Sequence, residues 1–285
     1  MKSKLFYCVV ACLGLWAVSA PAAEAPKLEF PAPSPACTIK QRVGLTDIEI
    51  VYSRPGVKDR QIFGGLVPYG EVWRTGANSA TKVTFSTAVK LNGVDIAAGT
   101  YGLFTIPAEQ EWTIIINKGA QQWGAYQYDE KADVVRFKST PAELGWSMET
   151  FTIDWNDIRD ESATLNLLWE KTLVPIKLKV EVTSVLLPQI DAVMSGTDPK
   201  KPYYQAAMFY FDHGQDLEKA AKWVDAAIAE REAHYMVHLK AKILAKQGKK
   251  DAAVAAANRS KELAITAKDK GYVKLNDDLI ASLKQ

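Results

Sequence analysis

The sequence predicts a mainly β protein with an α appendage. The β part reads as an antiparallel β-sandwich, jelly-roll-like, and the appendage as a small helical-hairpin domain of tetratricopeptide-like type. Three observations predict this. From Cys37 to Ser184, short runs of branched and aromatic residues recur between turn residues, the pattern of a layered all-β domain. Past Pro188 that pattern stops and alanine-rich helical runs replace it. Gly214 and Gly248 lie 34 residues apart, each between two helical runs, and 34 is the tetratricopeptide period.

Residues 1–22 read as a signal peptide. Lys2 and Lys4 form the basic start, Leu5 to Val18 is an uncharged apolar run, and Ala20-Pro21-Ala22 supplies small residues for cleavage near Ala22. The run is shorter than the roughly 20 residues of a membrane span. Periplasmic or secreted localisation is the expectation, with no transmembrane segment after cleavage. Cys8 and Cys12 leave with the signal, so Cys37 is the one thiol of the mature chain and has no internal disulfide partner. Residues 23–36 form a linker rich in proline (Pro26, Pro31, Pro33, Pro35).

The β part is expected over residues 37–187. Its strands are read at Thr46–Tyr52, Thr81–Ser86, Ala88–Leu91, Thr100–Ile106, Trp112–Asn117, Val134–Lys138, Met148–Trp155, Thr164–Glu170 and Ile176–Val182. Asn92-Gly93 between Val89/Leu91 and Val94/Ile96 marks a tight hairpin, because both residues tolerate positive φ. In the last run Ile176, Leu178, Val180 and Val182 alternate with Lys177, Lys179 and Glu181, giving one buried and one wet face. Residues 188–202 read as a second linker, with Pro188, Gly196, Pro199 and Pro202. The helical domain follows over 203–285, with helices at Tyr204–Asp212, Asp216–Glu230, Ala233–Lys246, Asp251–Ala267 and Leu275–Leu283. Ala220, Val224 and Ala227 have the small-large-small spacing of a repeat's second helix, and Ala253 and Ala257 echo it.

Composition narrows function. The 285 residues are 48% apolar and 24% charged with a formal charge of +2, which fits a folded chain and argues against a protein living on nucleic-acid phosphates. Three cysteines and three histidines leave no multi-cysteine zinc site. His234 and His238 are four apart on a helix with Glu232 near, but no His-Glu-x-x-His pattern accompanies them. No Gly-x-Ser-x-Gly elbow, phosphate-binding loop or dinucleotide fingerprint occurs. No cofactor, metal ligand or catalytic residue is assigned.

The densest chemistry lies between Tyr52 and Asn78. Arg54 and Arg60 flank a Pro-Gly turn, and Trp73-Arg74-Thr75-Gly76-Ala77-Asn78 places an indole, a guanidinium and an amide within six residues. Long glycine-punctuated loops bind or pack. Arginine forks suit carboxylate or phosphate, and tryptophan faces suit sugars or cations. A structural reading, arginine stacked on tryptophan to close a sandwich end, carries comparable weight. A second cluster holds Trp123, Tyr126 and Tyr128 beside Asp129, Glu130 and Asp133, an arrangement fit for a carbohydrate platform or, weakly, calcium. Asp154, Asp157, Asp160 and Glu161 crowd one region that reads as a solvated loop. Ligand-binding candidates are therefore Arg54, Arg60, Trp73, Arg74, Asn78, Trp123, Tyr126 and Tyr128.

Tyr-Ser-Arg-Pro at 52–55, G-x-L-V-P-Y-G-x-V-W-R-T-G-A-N at 64–78, A-G-T-Y-x-L-F-T-I-P at 98–107, W-T-I-I-I-N-K at 112–118 and W-G-A-Y-x-Y at 123–128 occur together. Over about residues 35–185 the chain thereby resembles the uncharacterised bacterial family catalogued as domain of unknown function 2911. The resemblance implies an exported bacterial protein, often with a helical repeat-like tail, and no established activity or catalytic residue. The expected function is a ligand- or partner-binding sandwich with a helical interaction module. Its partner would be a small molecule, sugar or protein of the cell envelope. The alternatives are a hydrolase acting on sugar or peptide, with Arg54, Arg74 and the acids near 129–133 in its site, and a structural envelope component.

Overall fold

The computed structural model describes residues 28–284. The expected signal peptide and the first part of the expected proline-rich linker lie outside the described residues.

Ten strands form two antiparallel sheets. They are β1 (Ala36–Val43), β2 (Thr46–Ser53), β3 (Thr81–Phe85), β4 (Val89–Leu91), β5 (Val94–Ile96), β6 (Gly99–Ile106), β7 (Trp112–Asn117), β8 (Asp133–Ser139), β9 (Ala142–Asn156) and β10 (Ser162–Val180). One sheet has the order β1-β2-β3-β6-β7-β8 and the other β5-β4-β10-β9. Their inner faces meet in one apolar core. Ile48, Ile50, Phe85, Leu103, Ile114 and Ile116 come from the larger sheet, and Phe151, Ile153, Leu165, Leu167, Ile176 and Leu178 from the smaller. The two sheets are also tied by a hydrogen bond, since the Ile153 N–H donates to the Tyr52 hydroxyl at 3.0 Å.

The β4–β5 hairpin turns on Asn92 and Gly93, at φ 45° and 87°, as their chemistry requires. Two expected strands, Thr164–Glu170 and Ile176–Val182, are one long strand. β10 pairs with β9 as far as Leu173 and with β4 from Leu178 onward. Pro175 falls between these partners, where its missing N–H costs no ladder bond. A bulge at Glu170 (φ 53°) bends the strand where its pairing with β9 shifts register.

Six helices follow: α1 (Thr183–Ser195), α2 (Tyr203–Asp212), α3 (Leu217–Glu230), α4 (His234–Lys246), α5 (Lys250–Thr266) and α6 (Lys270–Leu283). Ala220, Val224 and Ala227 are buried on α3, and Ala253 and Ala257 on α5. Gly214 and Gly248 take φ 65° and 78°, as glycines that end a helix do.

The linker expected at 188–202 is shorter than the sequence indicates. Its first part is helical, because Pro188 lies inside α1 and the helix is held by packing on both sides. Leu186 packs on the sandwich core, and Leu187 and Ile190 pack on the helical core. No side chain of the adjoining residue caps α1. Instead Glu161 accepts the N–H groups of Val182 and Thr183 at 3.1 and 2.6 Å, satisfying donors that begin a helix. His213 completes the joint. Its Nδ1 lies 2.9 Å from the Thr183 hydroxyl, its Nε2 lies 3.4 Å from an Asp160 carboxylate oxygen, and its ring stacks on Phe209. The acidic run expected as a solvated loop thus contains the residues that join sandwich and helices. Among the described residues no helix is long and apolar enough to cross a membrane.

Candidate functional site

The segment between β2 and β3 crosses the end of the sandwich. Trp73 exchanges two backbone hydrogen bonds with Thr105 of β6, at 2.7 and 2.9 Å. The Thr75 hydroxyl donates to that of Thr105 at 3.1 Å. The Thr81 hydroxyl donates to the Thr75 carbonyl at 2.6 Å, and the Ala77 N–H to the Ser53 carbonyl at 3.3 Å. Residues 73–81 are therefore pinned to β2, β3 and β6, and Thr75 is fully buried.

That pinning holds strained backbone. Of eight described non-glycine residues with left-handed φ, two lie in this stretch, Thr75 (54°) and Asn78 (58°), and two more, Lys58 (49°) and Asp59 (56°), lie earlier in the same segment. For the β-branched Thr75 the conformation costs about 1–2 kcal/mol. Gly76 has φ 153°, and a Cβ there would lie 3.0 Å from the Ser53 carbonyl oxygen, so only glycine fits without a shift.

These residues wall a cleft of about 280 Å³, lined by Ser34, Pro55, Arg60, Leu66, Val67, Trp73, Arg74, Gly76, Ala77, Asn78 and Trp169. Four sequence candidates, Arg60, Trp73, Arg74 and Asn78, meet in it. Trp73 is 7% exposed and its indole N–H donates to the Gly76 carbonyl at 3.1 Å. Its ring stacks on Trp169 at 5.8 Å and meets Phe63, Trp112 and Phe151 edge-on. One face of the indole is thus spent on Trp169, and Trp73 is core and cleft wall together, not an open sugar platform.

The two arginines differ. Arg60 is exposed, and its Nε and one terminal nitrogen donate to the carbonyls of Val57 and Gly56 at 3.0 and 2.7 Å, which sets the plane of its guanidinium. Arg74 is half-buried, and its Nε is buried without a hydrogen-bond partner among the described residues. The described arginines that form ion pairs are Arg42, Arg136 and Arg259; neither cleft arginine does. No carboxylate, histidine or thiol lines the cleft. The Asn78 amide nitrogen donates to the Ser34 carbonyl and the Ser53 hydroxyl at 3.2 and 3.3 Å, which fixes its amide and orients the carbonyl oxygen.

Four candidates fall elsewhere. Arg54 donates to the Phe151 carbonyl at 3.1 Å and the Thr152 hydroxyl at 2.7 Å. It fastens the end of β2 to β9 and does not line the cleft. Tyr128 packs on Phe104, donates to Asp133 at 2.7 Å and accepts from Arg136 at 2.6 Å. Burial, reinforced by its bond to Asp133, pushes its phenol up to about 12, so it is a structural link. Asp129 caps the short 3₁₀ turn after it, and Glu130 pairs with Arg136, so those carboxylates are engaged within the loop. Trp123 and Tyr126 are 64% and 84% exposed. Trp123 pairs through its backbone with Ser79, beside the cleft loop, yet neither ring lines the cleft.

A wider hollow of about 550 Å³ is lined by parts of β1–β3, by Ser79 and Ala80 and by Ala120–Gln122; Lys82 is its one ionisable side chain apart from the buried Tyr52. His234 and His238 are engaged with Asp269 and Asn276, at 3.3 and 2.8 Å, and burial lowers the pKa of His238. No group of three or more metal-ligating side chains occurs among the described residues.

Sequence reasoning missed Trp169, which stacks on Trp73 from a strand 96 positions away and carries no local signal of doing so. It also passed over Thr75, whose β-branched side chain between Arg74 and Gly76 was a usable sign of strain.

No curated protein and no solved structure matches the chain. A family model described as a protein of unknown function, DUF2911, matches residues 34–178, a span that contains β1–β9, β10 as far as Leu178, and every residue of the cleft. The chain therefore belongs to the DUF2911 family.

Proposed function

We propose that the protein is an exported ligand-binding β-sandwich whose binding site is the cleft of Arg60, Trp73, Arg74 and Asn78, with the helical domain as a second interaction surface. One observation carries the reading. A permanently charged guanidinium is held with a buried, unpartnered Nε in a cleft that contains no acid. A protein that needed Arg74 only for packing would gain by pairing it, since an unsatisfied buried donor costs about 1–3 kcal/mol. Strained backbone at the same place supports a site over a plain core. The absence of a general acid or base among the lining residues favours binding over hydrolysis.

Export rests on Lys2, Lys4, the apolar run and Ala20-Pro21-Ala22. N-terminal sequencing of the protein from an envelope fraction should begin at Ala23; an intact Met1 would refute export. Binding is tested by a melting-shift screen of small anions, sugars and neutral metabolites against wild type and Arg74→Met. Stabilising compounds should lose their effect in the variant. If every response is the same in both proteins, the cleft is not the site.

A further inference from the structure

We infer that the ligand class of this cleft is a small monocarboxylate with an apolar or aromatic body. The inference rests on the binding reading above and adds the chemistry of the occupant. The carboxylate would lie against Arg74 and Arg60, and the body against Leu66, Val67 and the edge of the Trp73–Trp169 pair.

Charge comes first. Two guanidinium groups line the cleft and no carboxylate does. Guanidinium presents planar, forked donors that match a carboxylate, and such bonds are about twice as strong as neutral ones. Arg60 is already oriented by Gly56 and Val57, so it has one terminal nitrogen with no assigned partner and little conformational freedom to lose on binding.

The number of donors then separates a carboxylate from a phosphate. A phosphate group brings up to two charges and three strong acceptors. Sites built for it add backbone N–H groups at a helix start or glycine-rich nest. This cleft has one free guanidinium and one half-committed guanidinium, and all six helices lie in another part of the chain, past residue 182. The donors that line this cleft are planar guanidinium forks rather than a cradle at a helix start, and the planar, two-oxygen head of a carboxylate matches such a fork.

Size and lining describe the rest. About 280 Å³ is below the roughly 300–1,000 Å³ of pockets that hold drug-sized ligands. Leu66, 47% exposed, offers the main apolar surface, while Pro55, Val67, Trp73, Ala77 and Trp169 are buried and present only their edges. The Asn78 carbonyl oxygen is left as an acceptor, because the amide nitrogen is committed to Ser34 and Ser53, and suits an N–H or O–H near the carboxylate.

The test uses the full mature chain and three probes of one shape: phenylacetate, its neutral amide phenylacetamide, and phenyl phosphate. Binding is measured by titration calorimetry in a buffer free of carboxylates. Wild type should bind phenylacetate at millimolar or lower concentration and phenylacetamide about tenfold more weakly or less. Arg74→Met and Arg60→Gln should each weaken phenylacetate about tenfold or more while leaving phenylacetamide unchanged. Circular dichroism melts of both variants confirm that they are folded. Equal binding of the amide, or tighter binding of phenyl phosphate in an Arg74-dependent way, would overturn the carboxylate class and leave the cleft as a site. Phenylacetate binding that neither variant alters, or none at all, would overturn the proposal itself. The broad melting-shift screen then decides separately whether the cleft binds anything.

Discussion

Replacing Arg74 by Met should make the ligand-free protein more stable. Arg74 is half-buried, its Nε is fully desolvated without a partner, and it forms no ion pair with any described residue. The cost of a buried unsatisfied donor is about 1–3 kcal/mol, and for a side chain that still reaches solvent the lower part of that range applies. Met keeps the length of the apolar stem and its packing beside Trp73. The expected gain is about 1–2 kcal/mol, which raises the melting temperature by about 2–8 °C for a chain of this size. Thermal and urea unfolding should both report it, in buffer without carboxylates. Phenylacetate at a hundred times the wild-type dissociation constant should add about 2.7 kcal/mol to wild type and, for a variant that binds tenfold more weakly, about 1.4 kcal/mol to the variant, which cuts the variant's advantage by about 1.3 kcal/mol. A variant less stable than wild type by a similar amount, with or without ligand, would refute the reasoning, because it would mean that Arg74 has a structural partner.

Tyr52→Phe should cost about 1–3 kcal/mol in urea unfolding, since it strands the buried Ile153 N–H that bridges the sheets; a neutral result would mean the bridge is absent. Glu161→Ala should lower stability by about 1 kcal/mol near neutral pH by uncapping α1. Glu161 is held below the ordinary glutamate range, chiefly by the Thr183 N–H. Its contribution is therefore present above the unfolded value and fades as pH falls through the folded one, so the gap between wild type and variant should narrow in acid; a gap that widens in acid would reject the cap. Brief trypsin treatment should cut first after Lys200, in the exposed stretch between α1 and α2, giving one fragment with both sheets and one with α2–α6. First cuts within α1 would show that the helix is not docked as described.

Local features were legible in the sequence and long-range ones were not. The Asn92-Gly93 turn, the alternation of Ile176 to Val180 and the alanine spacing on α3 are each written within a few residues, and the structure has them where the pattern puts them. Arg60, Trp73, Arg74 and Asn78 share one loop, so their convergence could be read. Arg54 lies as close in sequence, but its fate depends on Phe151 and Thr152, 97 and 98 positions away, which no local pattern encodes. The same reason hid Trp169. Pro188 argued for a linker by its usual effect on helices, and packing on two cores with a cap from Glu161 outweighed it. Exposed aromatics at Trp123 and Tyr126 looked like a platform, yet they stand outside the cleft.

The measurement that addresses the proposed carboxylate site most directly is a crystal structure of residues 23–285 grown with saturating phenylacetate. The expected result is carboxylate density within hydrogen-bond distance of the Arg74 guanidinium, with the ring against Leu66, Val67 and Trp73. An Arg74 side chain paired with a carboxylate of the protein itself, and phenylacetate absent from the cleft or bound elsewhere, would contradict it.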